Sequence, residues 1–149
     1  MLTPASQLDR KFREIRPLLP LTQRPSPGWI RAIRSALGMT TGQLARRMGV
    51  EQPRITELEL AEKAGKITLK SLERAAEAMG CRVVYVLVPE RPLTEVLKER
   101  AVRVANAQLA SVDQTMRLEA QGVPGQQNEA RAGLIGQILR KPSRLWDDP

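Results

Sequence analysis

The chain has 149 residues, with 24 Lys and Arg against 16 Asp and Glu, no histidine and one cysteine. This length predicts one compact domain with appendages, and an aromatic content of only 3% favours packed helices with an aliphatic core. The lack of histidine and the single Cys81 disfavour histidine-based catalysis, an internal disulfide and a cysteine zinc site, so we expect no enzyme, cofactor or bound metal.

Charge and hydropathy indicate a compartment and a class of partner. The longest apolar run, Val83–Val88, is far shorter than the roughly 20 residues that span a bilayer. The first residues lack the basic and apolar regions of a secretory signal, so we expect a cytoplasmic protein. The net charge of +8 favours a polyanionic partner such as double-stranded DNA.

Residues 1–27 are predicted to form a short basic helix and a proline-rich linker. Leu8, Phe12 and Ile15 recur at helical spacing within residues 1–16. An extended linker that ends at Gly28 should follow, because four prolines interrupt the helix: Pro17, Pro20, Pro25 and Pro27. The sequence leaves three roles open for residues 1–27, namely folding on a partner, gripping DNA as an arm, or remaining disordered.

Residues 28–89 are predicted to form the central domain, which begins with four short helices. Apolar residues recur at helical spacing between glycines, and hydroxyl residues stand at the expected caps. In chain order we expect a helix from Trp29 to Gly38, a second from a cap at Thr40 or Thr41 to Gly49, a third from Glu51 or Gln52, a polar connector Ala61–Lys66, and a fourth from the cap Thr68 to Gly80.

The segment Arg82–Val88 is predicted to be a strand, because it is rich in β-forming residues and lies between Gly80 and Pro89. A lone strand has no partner within a helical chain, which favours a symmetric homodimer that pairs Val84, Tyr85 and Val86 across two protomers. The alternatives are a buried extended segment or a continuation of the preceding helix.

Residues 90–149 are predicted to form a C-terminal helical extension. Pro92 opens a long helix that runs to about Gln121, and Gly122–Gly125 ends it. A last helix, Asn128–Arg140, precedes a polar tail with Trp146, which we expect to be a packing anchor.

Residues 41–59 have the pattern of a helix-turn-helix, in which a short second helix enters the major groove of DNA. Gly49 at the turn tolerates a positive φ, and Ala45 allows the two helices to approach closely. An ordinary small helical bundle would show the same apolar positions.

The stretch Met39–Val50, followed by Ile55, Leu58 and Glu59, resembles the phage-repressor (Xre) type of helix-turn-helix. Three further stretches resemble the mobile mystery protein A family, and the resemblance extends from about residue 5 to Trp146. These stretches are Pro27–Arg34, Ile67–Leu72 and Cys81–Pro89. The resemblance implies a mainly α fold: an Xre-like helix-turn-helix domain, one C-terminal strand for intersubunit pairing, and additional N- and C-terminal helices.

Members of this family are small bacterial proteins found beside a Fic-domain protein, mobile mystery protein B, which implies a toxin–antitoxin pair. The chain would then be a dimeric, sequence-specific repressor of its own operon, bound to a palindromic operator. It would also be the antitoxin that binds and neutralises the Fic partner. The alternative is a protein-interaction antitoxin whose DNA binding is only vestigial.

The matching positions have distinct expected roles. Gln52 can pair with adenine, Arg54 with guanine or a phosphate, and Thr56 and Glu57 can contact base edges or the backbone. Thr41 is placed to contact a phosphate, although many relatives carry Gln at this position. Six further cations are candidate phosphate contacts: Arg31, Arg46, Arg47, Lys63, Lys66 and Lys70.

Two pairs of residues have other expected roles. Arg34 and Glu59 match positions that form an internal ion pair in repressors of this type. Thr115 and Glu119 match part of the inhibitory helix of Fic proteins, in which the glutamate engages an active-site arginine, although Ala120 departs from that motif. Cys81 is expected to be a small buried apolar residue.

Overall fold

The computed structural model describes residues 2–116 and 124–147. These residues form seven α-helices and two 3₁₀ helices and contain no strand, which confirms a mainly α fold. The α-helices are α1 (Pro4–Ile15), α2 (Trp29–Ala36), α3 (Thr41–Met48), α4 (Gln52–Lys63), α5 (Leu69–Ala78), α6 (Leu93–Met116) and α7 (Pro124–Arg140). The 3₁₀ helices are Arg16–Thr22 and Pro142–Trp146.

The chain divides into two compact units. The central unit is Leu18–Leu87, and the terminal unit combines Met1–Pro17 with Val88–Pro149. Helix α1, whose location the sequence left open, belongs to the terminal unit and packs against α6.

The central unit has an aliphatic core between α2, α3, α4 and α5. Spacings of three and four residues place the apolar side chains of each helix on its inner face. The buried residues are Ile30, Leu44, Ala45, Ile55, Leu58, Ala75 and Met79. Because Ala45 and Ala75 are small, the helices that carry them can approach their neighbours closely.

The helix ends of the central unit follow the predicted caps. Thr40 and Gln43 form a capping box at the start of α3, and the Thr68 hydroxyl accepts the N–H of Ser71 at the start of α5. Gly49, with φ of 69°, ends α3 in the left-handed region and turns the chain toward α4.

Two boundaries in the central unit differ from the predictions. The linker after α1 is not extended, because Arg16–Thr22 forms a 3₁₀ helix. The fixed φ of proline is compatible with that conformation, so Pro17 and Pro20 stop the α-helix without straightening the chain. Helix α4 continues to Lys63, into the predicted connector Ala61–Lys66, because Glu62 is buried and bonded to α2.

In the terminal unit, α7 begins at Pro124 and not at Asn128, so part of the predicted glycine-rich stop is helical. Proline is favoured in the first turn of a helix, which accounts for the earlier start. The expected end of α6 near Gln121 lies outside the described residues.

Asp9 of α1 caps the N-terminus of α6. Its carboxylate oxygens accept the N–H of Leu93 at 2.7 Å and the N–H of Thr94 at 3.0 Å, and the Thr94 hydroxyl donates at 2.8 Å. Partial loss of water raises the pKa of Asp9, but hydrogen bonds from the first turn of α6 and the charge of Arg16 outweigh this effect and hold the pKa below its ordinary value. The bonds therefore tie α1 to α6 most strongly when Asp9 is ionised.

Helices α6 and α7 pack against each other and against the 3₁₀ helix Pro142–Trp146. Ala101, Ala105 and Leu145 are buried in this part of the terminal unit. The guanidinium of Arg100 lies 4.4 Å from the centre of the Trp146 ring, a cation–π contact that holds the C-terminal segment. No helix in the described ranges combines the length and the apolar character needed to cross a membrane.

The predicted strand does not form within the described part of this single chain, where residues 81–89 have no regular secondary structure. Strand pairing needs a second backbone alongside, and the helical units supply none. The segment is neither a helix continuation nor buried, since Val84 is 83% exposed and Leu87 is 80% exposed.

Candidate nucleic-acid interface

Helices α3 and α4 are joined by a tight turn at Gly49. The N–H of Gly49 donates to the carbonyl of Arg46 at 3.2 Å, and the N–H of Val50 donates to that of Ala45 at 3.0 Å. Ile55 and Leu58 on α4 are buried against α3 and the other helices of the core. The opposite side of α4 is therefore presented to solvent.

Gln52 and Thr41 are bonded to each other, although eleven residues separate them in the chain. The Nε2 of Gln52, the first residue of α4, donates to the Thr41 hydroxyl at the start of α3 at 2.9 Å. The second Nε2 hydrogen and the Oε1 of Gln52 stay available, which is the donor–acceptor pair that adenine requires.

The other three candidate base-contacting residues also lie on the exposed side of α4. Arg54, Thr56 and Glu57 are all exposed. Arg54 Nη1 bonds Glu57 Oε2 at 3.0 Å, and both side chains are more than half exposed. An exposed pair of this kind contributes little to stability and can open, so Arg54 can still reach a guanine or a phosphate.

The candidate phosphate contacts form two groups. Thr41 is half-buried at the N-terminus of α3, and six cations are exposed: Arg31, Arg46, Arg47, Lys63, Lys66 and Lys70. Arg47 differs from the others because its Nε donates to the carbonyl of Ala78 at 2.7 Å, which ties α3 to α5. Across the described ranges, no hydrogen bond or ion pair joins these cations to the four candidate base-contacting side chains.

The Arg34–Glu59 ion pair links α2 to α4. Arg34 Nε donates to Glu59 Oε1 at 2.6 Å, and Arg34 Nη2 donates to Oε2 at 3.3 Å. Arg34 Nη1 also donates to the carbonyl of Met39 at 2.9 Å. The side chains are only 13% and 10% exposed, so the pair is nearly buried and braces the start of the α2–α3 turn against α4.

Sequence reasoning missed Glu62, which organises the other end of α2. Its carboxylate accepts the N–H of Trp29 at 2.9 Å and the N–H of Ile30 at 3.1 Å, and its side chain fills the space where a Cβ on Gly28 would stand. The guanidinium of Arg24 donates to the carbonyls of Glu62 and Lys63. The one sign of this cap in the sequence is that Gly28, and not a residue with a hydroxyl side chain, stands directly before α2.

Three further expectations concern residues outside this interface. Val84, Tyr85 and Val86, the expected dimer strand, are exposed. Cys81 is exposed, so the expectation of a buried cysteine is wrong; it follows the turn at Gly80, whose φ is 71°. The backbone of Thr115 lies in α6, whereas its side chain and the whole of Glu119 lie outside the described residues.

The arrangement presents polar groups that suit binding. The described residues contain no group of three or more Cys, Asp and Glu side chains placed to hold a metal ion. The four candidate base-contacting side chains on α4 are exposed hydrogen-bond donors and acceptors, and Gln52 bonds the half-buried hydroxyl of Thr41 at the N-terminus of α3. Such groups can bind phosphates and base edges.

Comparisons of the chain with models of known protein families, with curated proteins and with solved structures found no match.

Proposed function

We propose that the chain is a dimeric, sequence-specific DNA-binding repressor in which α3, the turn at Gly49 and α4 act as a helix-turn-helix. In this proposal α4 enters the major groove, and the N-terminus of α3 rests on the DNA backbone. The repressor is not an enzyme, and it acts on bacterial DNA in the cytoplasm.

One observation carries the proposal, namely the hydrogen bond between Gln52 and Thr41. The bond joins the amide of Gln52, proposed to contact a base, to the hydroxyl of Thr41, proposed to contact a phosphate. It does so where the N-termini of α3 and α4 meet. Backbone N–H groups at a helix N-terminus favour a phosphate, and an amide held in place loses less conformational freedom when it binds adenine.

The charge distribution supports the same assignment. The side chains of five exposed cations make no hydrogen bond or ion pair among the described residues and can neutralise phosphates: Arg31, Arg46, Lys63, Lys66 and Lys70. Each phosphate that is neutralised releases condensed counterions and steepens the dependence of affinity on salt. We expect Arg47 to contribute less, because its Nε already holds the carbonyl of Ala78.

The test is a titration of the purified chain onto the promoter duplex upstream of its own coding sequence and onto a scrambled duplex of equal length. Affinities are measured at several salt concentrations. We expect selective binding to the promoter and a slope of log K against log salt that corresponds to several phosphates. Equal, weak binding to both duplexes would contradict the proposal.

Variants then assign the selectivity to α4. Gln52→Ala and Arg54→Ala should each reduce promoter affinity about 5- to 150-fold, or 1–3 kcal/mol, while binding to the scrambled duplex changes little. Arg140→Gln, an exposed change in α7, is the matched control and should leave both affinities unchanged. If the α4 variants keep full promoter preference, α4 is not the recognition helix.

The proposed homodimer pairs residues 82–88 of two protomers. A helix-turn-helix covers one half-site, and two protomers supply the affinity and specificity of a palindromic operator. Proline at both Val84 and Val86 removes the N–H groups needed for pairing. We expect this double variant to be monomeric by light scattering, and an unchanged dimer would refute the pairing.

The antitoxin role remains a proposal based on the resemblance to mobile mystery protein A. The resemblance implies that a Fic-domain protein is encoded beside the chain, and such a protein should co-purify with the chain and lose its activity on binding. Glu119→Gln tests whether the Thr115–Glu119 motif mediates that suppression. Suppression that survives in Glu119→Gln would remove the motif from the mechanism and leave the rest of the antitoxin role intact.

The alternative of an antitoxin with vestigial DNA binding is favoured by the acidic content of α4. Glu51 and Glu57 are exposed, and Glu57 pairs with Arg54, so the exposed side of α4 carries little net positive charge. Co-purification with the Fic partner together with non-selective promoter binding would favour this alternative.

A further inference from the structure

Arg54 and Glu57 form an ion pair on the exposed side of α4. They stand three residues apart, a spacing at which the side chains of a helix are neighbours, and Arg54 Nη1 donates to Glu57 Oε2 at 3.0 Å. Their side chains are 53% and 63% exposed, whereas Ile55 and Leu58 of the same helix are buried in the core. The pair therefore presents a cation and an anion to solvent side by side.

This contact leaves most of the hydrogen-bonding capacity of the pair free. A guanidinium has five N–H donors, and an ionised carboxylate has two acceptor oxygens. Arg54 uses one N–H of Nη1, Glu57 uses Oε2, and neither side chain has another hydrogen bond among the described residues. Nε and Nη2 of Arg54 thus remain as a fork of two donors, and Oε1 of Glu57 remains as an acceptor.

A G·C base pair presents the complementary groups in the major groove of DNA. Guanine N7 and O6 are acceptors, and cytosine N4 is a donor. O6 and N4 are hydrogen-bonded to each other within the base pair, so an ordinary N–H···O distance of about 2.9 Å separates them. Arg54 Nη1 and Glu57 Oε2 are separated by almost the same distance, 3.0 Å. The ion pair can therefore contact both bases of one G·C pair without opening.

We propose that Arg54 and Glu57 together recognise a single G·C base pair of the operator half-site. In this arrangement Arg54 donates to O6 and N7 of guanine, and Glu57 accepts from N4 of the paired cytosine. The inference rests on the proposed function and deepens it, since it makes Glu57 a specificity-determining residue and assigns one base pair of the DNA. Gln52 contacts an adenine at a different base pair.

Other base pairs leave part of the ion pair without a partner. In an A·T pair the adenine N6 donor faces Arg54, and the thymine O4 acceptor faces Glu57. A C·G pair has the groups of G·C in the opposite order, so its donor faces Arg54. A T·A pair offers O4 to Arg54 and N6 to Glu57, but a methyl group replaces the second acceptor of guanine. Because unsatisfied polar groups at an interface cost affinity, the ion pair favours G·C in one orientation.

The negative charge of Glu57 has the opposite effect on DNA that lacks this base pair. A carboxylate near the phosphates repels them, so it weakens binding to DNA of any sequence. The contact with cytosine offsets that repulsion only at the correct site. Glu57 thereby widens the difference in affinity between the operator and other DNA, whereas a glutamate without a base contact would lower both affinities alike.

The test is a selection, by the full chain, from duplexes with a randomised central sequence, followed by sequencing of the bound fraction. We expect wild type to enrich a G·C pair at one position of each half-site. Arg54→Ala and Glu57→Ala should both lose that enrichment at the same position, and Glu57→Ala should also bind a scrambled duplex more tightly. Undiminished G·C enrichment by Glu57→Ala, or a loss at a different position from that of Arg54→Ala, would overturn the inference.

Two matched variants separate the base contact from the charge. Glu51→Ala removes the same charge from the N-cap of α4, where the side chain is exposed and makes no capping hydrogen bond. It should bind all duplexes more tightly and keep every base preference. Glu57→Gln removes the charge but keeps an acceptor oxygen, so it should retain more of the G·C preference than Glu57→Ala. Equal losses in Glu57→Gln and Glu57→Ala would assign the preference to charge alone and refute the contact with cytosine.

Anisotropy titrations of the enriched duplex measure the size of the effect. Replacing its G·C pair with A·T should weaken wild-type binding about 5- to 150-fold, and the same replacement should weaken binding of Glu57→Ala by a smaller factor. The selection also separates this inference from the proposed function. If wild type enriches no sequence, the repressor and the base-pair assignment both fail. If enrichment depends on Gln52 and is the same in Glu57→Ala, the repressor stands and only the shared G·C contact is refuted.

Discussion

The carboxylate of Glu62, near the end of α4, accepts the backbone N–H of Trp29 at 2.9 Å and so caps the start of α2 from a distance of 33 residues. The same carboxylate accepts the N–H of Ile30, and the side chain of Glu62 is only 2% exposed. An anion at a helix N-terminus satisfies N–H groups that have no partner within the helix. This contact fixes the position of Trp29 at the start of α2.

Glu62→Ala should lower the free energy of unfolding by about 1–3 kcal/mol, because it leaves buried N–H groups without an acceptor. Glu62→Gln keeps one acceptor oxygen and should cost less. Urea unfolding followed by circular dichroism measures both. Glu73→Ala, an exposed glutamate on α5, is the control and should change stability by less than about 0.5 kcal/mol. Equal stability of Glu62→Ala and the control would contradict the cap.

Gly28→Ala should destabilise the chain more than Gly38→Ala. Both glycines have a positive φ, 89° and 66°, which costs an L-residue about 1–2 kcal/mol. Only at Gly28 would the new Cβ also lie 2.5 Å from an oxygen of Glu62, whereas Gly38 has open space. Thermal unfolding of the two variants gives the comparison. Indistinguishable melting temperatures would mean that Glu62 moves aside at no cost.

Removing one partner of the Arg34–Glu59 pair should cost about 3 kcal/mol, because it strands a nearly buried charge. The double variant Arg34→Met with Glu59→Leu should be more stable than the sum of the single effects predicts. A double-mutant cycle by urea unfolding measures the coupling. The exposed pair Arg54–Glu57 is the control, with an expected coupling below about 1 kcal/mol. Purely additive effects of the two substitutions on the free energy of unfolding would show that Arg34 and Glu59 are not coupled.

Thr41→Val should weaken promoter binding about 5-fold, or roughly 1 kcal/mol, because the Gln52 amide loses the acceptor that holds it. In a Gln52→Ala background the same change should have a smaller effect. Fluorescence anisotropy with the promoter duplex measures all four combinations. An undiminished effect in that background would assign Thr41 to an independent phosphate contact.

Acid should loosen the attachment of α1 to α6 through Asp9. Its pKa is lowered in the folded chain, so its contribution to stability is present above the ordinary pKa of aspartate and is lost as the pH falls through the lowered value. Asp9→Asn should therefore be less stable at neutral pH, and its stability should fall less steeply on acidification. Circular dichroism of urea unfolding across the acid range tests this. Glu14→Gln, an exposed change on α1, is the control, and parallel pH profiles for wild type and Asp9→Asn would refute the role.

Local pattern was sufficient to predict the helices of the central unit and most of their ends. The capping box at Thr40, the left-handed Gly49 and the cap at Thr68 depend on neighbours within one or two turns, which the sequence displays directly. Ile55 and Leu58 are buried for the same reason, since helical spacing fixes which side chains share a face. The wrong boundaries lie where proline permits a 3₁₀ turn or opens a helix early, or where a distant residue extends a helix.

The sequence by itself thus determined the helical class, the aliphatic core and the residues exposed on α4, because these follow from spacing along one helix. Tertiary structure alone decided which carboxylate caps which helix, that Gln52 bonds Thr41, that Arg47 is held by Ala78, and that Val83 lines a groove with Trp29. These contacts join residues that are far apart in the chain. Their partners are selected by how whole helices pack, and no local pattern of residue types encodes that choice.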